Sequence, residues 1–281
     1  MQPHQPAISF LTPAFSKPQL LRRALDSLLQ QTCGDWEMVL SPDDGADYSD
    51  VARIDPRIRL VDPQGAMQTG PGPARNRALA HASGAFVACL DDDDAVADNF
   101  VEECLGALQT ACAVLVPSVY VTVDQQPVRA AGTGVQALDI AGFAELYATM
   151  HVICRRDLAQ PWGAFFAEDV VHTCAAIERN GGTIAVVGRT EYRITVHENS
   201  LCATTQDIDA QYGRLIQWIE QQVLMAECSE SGRQQTRHLL IKRMQLQRLF
   251  ESRSDPGMGY QSFVHQYLLS QAGAPAAQAR A

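Results

Sequence analysis

Four consecutive carboxylates, Asp91, Asp92, Asp93 and Asp94, follow an apolar run at residues 86–90. Adjacent like charges repel, so the run costs free energy unless solvent or a cation screens it. The apolar run reads as a buried strand, and in open α/β sheets ligands bind outside the carboxyl ends of strands. An acidic tetrad placed there suits a hard divalent ion, Mg²⁺ or Mn²⁺. The alternative is a solvated acidic turn that caps the next helix. A second acidic strand end, Asp43-Asp44-Gly45, follows residues 36–40. Alone, that tripeptide could simply be a turn. A third acidic pair, Glu168-Asp169, opens an amphipathic helix, where acids complement the helix dipole whether or not they do chemistry.

The elements that must position these acids are legible in order. Residues 7–11 read as a first strand ending at Thr12-Pro13. Ser16 and Gln19 form a capping box for a helix whose apolar face is Leu20, Leu21, Ala24, Leu25, Leu28 and Leu29. Strands follow at 36–40 and 58–61, then a Gly/Pro-rich loop at 65–73 and a helix at 74–82 carrying Arg75, Asn76 and Arg77. This alternation implies parallel pairing, with helices on both faces of one sheet. Beyond residue 112 strands are expected at 114–116, 119–123, 151–154, 184–187 and 192–196, with a loop at 127–134. Helices are expected at 140–147 and 168–180, and again at 210–226, 234–252 and 261–271. In the helix at 234–252, Leu239, Leu240, Met244, Leu246 and Leu249, with Phe250, cover too wide a face for a lone exposed helix. They are expected to pack on the preceding domain or to form a homodimer.

Composition narrows the field. With 281 residues and 46% apolar residues, one large domain with an appendage is expected. A net charge of -10 argues against nucleic-acid binding. Eight cysteines occur without a CxxC pair, and Cys89, Cys112 and Cys154 lie within apolar runs, as buried thiols do. The N-terminal residues lack the basic and apolar regions of a signal peptide, and no run is long enough to span a bilayer. A cytoplasmic location is the expectation.

Taken together, residues 10–16, 24–32, Asp43-Asp44-Gly45, residues 74–79 and residues 90–94 resemble the opening of a family-2 glycosyltransferase. The match is dense from about residue 7 to 112 and thins to isolated motifs between 150 and 200. The resemblance implies a GT-A fold: α/β, a Rossmann-like, mainly parallel sheet flanked by helices, here with a C-terminal helical extension. It implies a nucleotide-sugar-binding half over 1–112, an acceptor-binding half over 113–204 and the extension over 205–281.

The resemblance also implies roles. Asp91-Asp92-Asp93 matches the family's Asp-x-Asp motif, placing Asp93 on a metal and Asp91 near the ribose or metal. Asp92 is part of the nucleotide-sugar site, and Asp94 is either part of it or a helix cap. Asp44 matches a carboxylate that accepts from a nucleobase N–H, with Asp43 beside it. Arg75 would meet the base or diphosphate, and Thr12, Pro13 and Ala14 would lie against the nucleotide. Asp169 would be the general base, with Glu168 orienting it or binding acceptor hydroxyls. Trp162 would stack on a sugar or belong to the core. His197 would be a metal or diphosphate contact, with Ser200 as a weaker partner. His172 and Cys174 depart from the aromatic or basic residues common in the family.

The implied activity is metal-dependent, inverting transfer of a single sugar from a UDP-linked donor to a hydroxyl acceptor, with Mn²⁺ or Mg²⁺, in polysaccharide or glycoconjugate synthesis. The absence of a Gln-x-x-Arg-Trp motif argues against processive synthesis. A nucleotidyltransferase also uses strand-end aspartates, but it carries a Gly-rich basic loop where this chain has residues 12–16. A non-catalytic sugar-nucleotide-binding protein is the other alternative.

Overall fold

Strand β1 (Ile8–Ala14) is buried along its whole length in a computed structural model that describes residues 5–16, 18–62, 65, 67–198, 205–255 and 257–273. It pairs in parallel with β2 (Trp36–Pro42) on one side and β4 (Phe86–Cys89) on the other. The strand runs past residue 11 because β2 continues beside it to Ala14. Pro13 is tolerated there: the β4 ladder has ended at Leu11↔Cys89, so no partner awaits the missing N–H.

Alternation along the strands feeds two cores. Ile8, Phe10, Met38 and Leu40 meet α1 (Pro18–Leu29) and α4 (Phe100–Leu108) on one face. On the other, Leu11, Val39, Val87 and Cys89 meet α3 (Pro71–His81), α5 (Ile140–Leu146) and α6 (Glu168–Arg179). After the short helix α2 (Ser49–Ala52), the main sheet is completed by β3 (Ile58–Leu60), β6 (Ala113–Leu115), β9 (Ala137–Leu138), β10 (Ile153–Arg155) and β11 (Ile184–Val186), in the order β3-β2-β1-β4-β10-β6-β11-β9. Its first four strands are parallel, and β10 is antiparallel to both neighbours.

Three expectations are corrected. The sheet is not alone: β5 (Ala95–Val96), β7 (Ser118–Thr122), β8 (Pro127–Ala131) and β12 (Tyr192–Val196) form a second one, ordered β5-β12-β7-β8. Residues 127–131, expected as loop, are its edge strand, with Pro127 at the tolerated first position and too short a run to show alternation. Ser16 does not show the expected cap. It sits at φ 54°, with its N–H and hydroxyl turned to the Asp44 carboxylate, the stronger acceptor.

Of the C-terminal helices, α7 (Ile208–Glu220) and α8 (Glu230–Arg253) close over the face that carries α5 and α6, while α9 (Tyr260–Gly273) packs on α8 and β8. Tyr212, Leu215, Ile219, Leu239 and Leu240 join the same core as Trp162, Val170 and Cys174. Burial of a leucine such as Leu239 or Leu240 contributes about 1.5–3 kcal/mol. Among the described residues no helix is long and apolar enough to cross a membrane.

Candidate active site

The carboxyl ends of β1, β2 and β4 lie side by side, so the acids that follow them are gathered by the sheet register itself. Asp92 is buried and accepts the Phe15 N–H at 2.6 Å, tying the end of β4 to the end of β1. Thr12, Pro13 and Ala14 are buried between these ends, and the Ala14 carbonyl accepts from Asp43 N–H at 2.9 Å. The Asp43 carboxylate faces the loop before α3, accepting from Thr69 Oγ1 at 2.7 Å, Gly70 N–H at 2.8 Å and Arg77 Nη2 at 2.7 Å. Asp44 is more open and accepts from Ser16 N–H at 2.7 Å, Tyr48 hydroxyl at 2.9 Å and Ala46 N–H at 3.0 Å. Burial opposes its ionisation, but the Ala46, Ser16 and Tyr48 donors outweigh it and hold the carboxyl below its ordinary value.

Arg75, on α3 and 2% exposed, is the hub. Its Nη2 donates to Asp91 Oδ1 at 2.6 Å and its Nη1 to Glu168 Oε1 at 2.5 Å. The segment before α6 is brought to α3 by close backbone approach. A Cβ on Gly72 would stand 2.0 Å from the Gly163 carbonyl oxygen, so only glycine fits. Asn76 then holds Trp162, accepting its N–H and donating to its carbonyl, both at 2.8 Å. Burial pushes Glu168 up to about 7, with Asp169 adding to the shift and Arg75 opposing it.

Within the tetrad the side chains diverge. Asp93 Oδ2 meets His197 Nε2 at 3.0 Å. Asp91 Oδ2 lies 4.0 Å from His151 Nε2, and Asp91, Asp94 and His151 offer ligand atoms within 4.8 Å of one another. Asp94 does not cap the next helix, whose N-cap is Asn99. It is buried, accepts Thr195 N–H at 2.9 Å, and takes the Tyr192 hydroxyl. Burial, then Asp93 and Asp91, push its carboxyl well up, a crowding that a cation would relieve.

Asp169 stands on the first turn of α6, after Ala167 at φ 56°, and no described residue hydrogen-bonds its carboxylate. The structure therefore draws Asp91, Glu168 and Arg75 together, and joins Asp93 to His197. Ser200 lies outside the described residues. His151 and Tyr192 are site residues that the sequence reading missed, and Asn76, named on its helix, was given no role. A single His or Tyr beside a strand carries no spacing signal.

Trp162 belongs to the core: it is buried, and His172 stacks on it at 4.2 Å and 13°. Burial lowers the His172 pKa to about 4 against the favourable Gln160 carbonyl. A histidine with a depressed folded value stabilises fully above its unfolded value near 6.5, and that contribution is lost as pH falls toward 4. We expect acidification from pH 7 to 4 to lower the melting temperature of wild type more than that of His172→Phe. The difference in stability should be roughly 2–3 kcal/mol. Equal acid sensitivity of the two proteins would refute the assignment.

A mainly parallel sheet flanked by helices, with acids at the ends of its central strands, is the GT-A architecture. S. aureus TarS 1-349 in complex with UDP-GlcNAc superposes with a TM-score of 0.68 at 16% identity, over 89% of this chain and 76% of that one. The mannosyltransferase PcManGT from Pyrobaculum calidifontis, in complex with GDP-Man and Mn²⁺, gives 0.56 at 14% identity, over 96% and 80%. In sequence, the chain is 34% identical over 98 residues to the UDP-Glc:alpha-D-GlcNAc-diphosphoundecaprenol beta-1,3-glucosyltransferase WfgD of Escherichia coli. It is 35% identical over 94 residues to the GalNAc(5)-diNAcBac-PP-undecaprenol beta-1,3-glucosyltransferase of Campylobacter jejuni. These segments cover 34% and 32% of this chain, but only 38% and 30% of the relatives. The sequence model of Glycosyl transferase family 2 matches residues 9–180, well over half of the chain. The chain belongs to glycosyl transferase family 2.

Proposed function

We propose that the protein catalyses inverting, metal-dependent transfer of one sugar from a UDP-linked donor to a hydroxyl acceptor. The proposed setting is the cytoplasm, in synthesis of a cell-surface polysaccharide or glycoconjugate. Family membership supports the reaction class, and TarS, in complex with UDP-GlcNAc, supports the donor class. The E. coli and C. jejuni relatives, named for undecaprenol-linked acceptors, support the setting. The observation that carries the reading is the Arg75 bridge: one guanidinium joins Asp91 of the tetrad to Glu168, the neighbour of Asp169.

The residues fit a divalent ion. Carboxylates and imidazoles are gathered at one strand end, and the buried His151 ring has no hydrogen-bond partner among the described residues. Asp91, Asp93 and His197 would hold Mn²⁺ or Mg²⁺. Once bound, the ion stabilises charge on the departing diphosphate. Asp44, ionised, accepts from the nucleobase, while Asp43 keeps the loop at 69–70 in place. Thr12, Pro13 and Ala14 offer the nucleotide a rigid backbone edge. Asp169 takes the acceptor hydroxyl's proton, and Glu168, held by Arg75, orients it. On this reading residues 1–112 serve the donor, 113–204 the acceptor, and 205–281 are a helical extension. The core shared by α7 and α8 with the domain supports packing over a homodimer.

A nucleotidyltransferase is disfavoured because Phe15, not a glycine-rich basic loop, follows β1. A non-catalytic binding protein would release no nucleoside diphosphate when donor and acceptor are mixed. The direct test is Asp93→Asn, which should leave the fold intact and weaken Mn²⁺-dependent UDP binding in calorimetry. The loss should be at least the ~10–100-fold that accompanies removal of even an outer-shell metal partner. Unchanged Mn²⁺-dependent affinity would sink the metal assignment.

A further inference from the structure

The connection from α5 to β10 is held in an unusual way. Five consecutive carbonyls, from Leu146 to Met150, each accept a hydrogen bond from a side chain. Arg129 donates to Leu146 at 3.1 Å and to Tyr147 at 2.6 Å. Arg243 donates to Ala148. Ser118 donates to Thr149 at 2.6 Å and Thr173 to Met150 at 2.7 Å. Tyr147 opens this strap in the left-handed region, at φ 46°, where a tyrosine is strained unless its surroundings hold it. The residue delivered at its far end is His151, which stands 4.0 Å from Asp91.

Arg129 and Arg243 are both buried, and neither makes a salt bridge among the described residues, although Asp169 favours the Arg243 charge from beyond hydrogen-bond distance. A buried cation without an adjoining anion is expensive, so backbone carbonyls at the end of α5 supply much of the compensation. Much of the clamp comes from the C-terminal helices. Arg243 lies on α8, and Gln261 of α9 accepts from Arg129 Nε at 2.7 Å. Lys242 of α8 lies 5.4 Å from the centre of the Tyr147 ring, and Tyr267 of α9 meets its edge at 6.0 Å. Both helices lie beyond residue 180, where the family match ends.

We propose that the C-terminal helices serve the cation-binding end of the site: through Arg243 and the Gln261–Arg129 pair they fix the strap so that His151, with Asp91 and Asp94, forms one corner of the metal seat. The inference rests on the metal-dependent reading above. His151 is suited to the task, being buried, edge-on to Tyr192 at 5.0 Å, and without a described hydrogen-bond partner for either ring nitrogen. Arg243 and Arg129 are positioning residues, acting on the metal only through the strap.

The test is a cycle of Arg243→Met, His151→Phe and the double variant, read by calorimetry as UDP affinity with and without Mn²⁺. Arg243→Met should weaken Mn²⁺-dependent binding by about 10–100-fold, the usual loss when a ligand's orienting group is removed, and His151→Phe by at least as much. The double variant should be no weaker than His151→Phe. Arg243→Lys, which keeps a cationic donor on the same helix face, should recover part of the loss. Leu240→Ala, buried on the same helix, should lower the melting temperature and leave affinity unchanged. Should Arg243→Met fail to fold, Gln261→Ala takes its place in the cycle. Wild-type affinity in Arg243→Met, additive losses in the double variant, or an affinity loss in Leu240→Ala would each overturn the proposal. Wild-type protein with no Mn²⁺-dependent UDP binding would overturn both this inference and the metal-dependent reading.

Discussion

Asp169→Asn is expected to slow sugar transfer by roughly 10²–10⁴-fold, the usual worth of a positioned general base. Inversion requires the acceptor oxygen to attack the anomeric carbon from the face opposite the diphosphate. A sugar hydroxyl is a poor nucleophile at neutral pH until a base begins to take its proton. Asp169 is placed for that task on the first turn of α6, with no described hydrogen bond competing for its oxygens. Asparagine keeps the shape and the helix start, so only basicity is lost. Donor affinity should barely move, because Asp169 makes no described contact with the Asp91–Asp94 run. A steady-state comparison of transfer with UDP binding separates the two effects. If Asp169→Asn transfers sugar at a near wild-type rate, the base must be sought elsewhere, with Glu168 first.

Arg75→Met should be the most destabilising single change in the site. It leaves Glu168 buried and Asp91 partly buried, both without their shared cation. Breaking a buried pair from one side costs about 3–5 kcal/mol, which for a chain of this size lowers the melting temperature by about 10 °C. The loss should depend on pH. Glu168 already has a raised folded value, and Arg75 is what opposes the rise. Without Arg75 the value climbs further, and a group raised in the folded state stabilises below its unfolded value and ceases to do so as pH rises. Arg75→Met should therefore be closer to wild type at pH 5 than at pH 8. Adding Glu168→Gln should restore part of the stability at pH 8, since the uncompensated charge is gone. Thermal melts of the three proteins at both pH values decide the matter. A single variant as stable as wild type, or a double variant no better than the single, would refute the account.

Residues close in sequence carried most of what was legible without coordinates. The existence of the first strand, though not its run from residue 12 to 14, the apolar face of the helix after it and the α6 start at Glu168 follow from periodicity that a short window contains. The tetrad's position at a strand end needed only the apolar run before it. The shared core of the C-terminal helices was half legible: the wide apolar face of the helix at 234–252 announced a partner, but whether the domain or a second copy was left open.

What the tertiary structure decided involves partners far apart in the chain. Arg75 and Glu168 are separated by 93 residues. Their meeting depends on Gly72 letting the Gly163 backbone approach α3. His151 reaches Asp91 because β10 enters the sheet antiparallel beside β4, a choice no local pattern encodes. Ser16 turned from its expected cap to Asp44 because strand register put a carboxylate beside it. The sequence by itself determined the kinds of chemical group and the local elements that bear them, since propensity and periodicity act within a few turns. Which acid shares a cation with which, and which histidine faces the tetrad, was set by sheet order and close packing, because those contacts exist only after distant segments have been brought together.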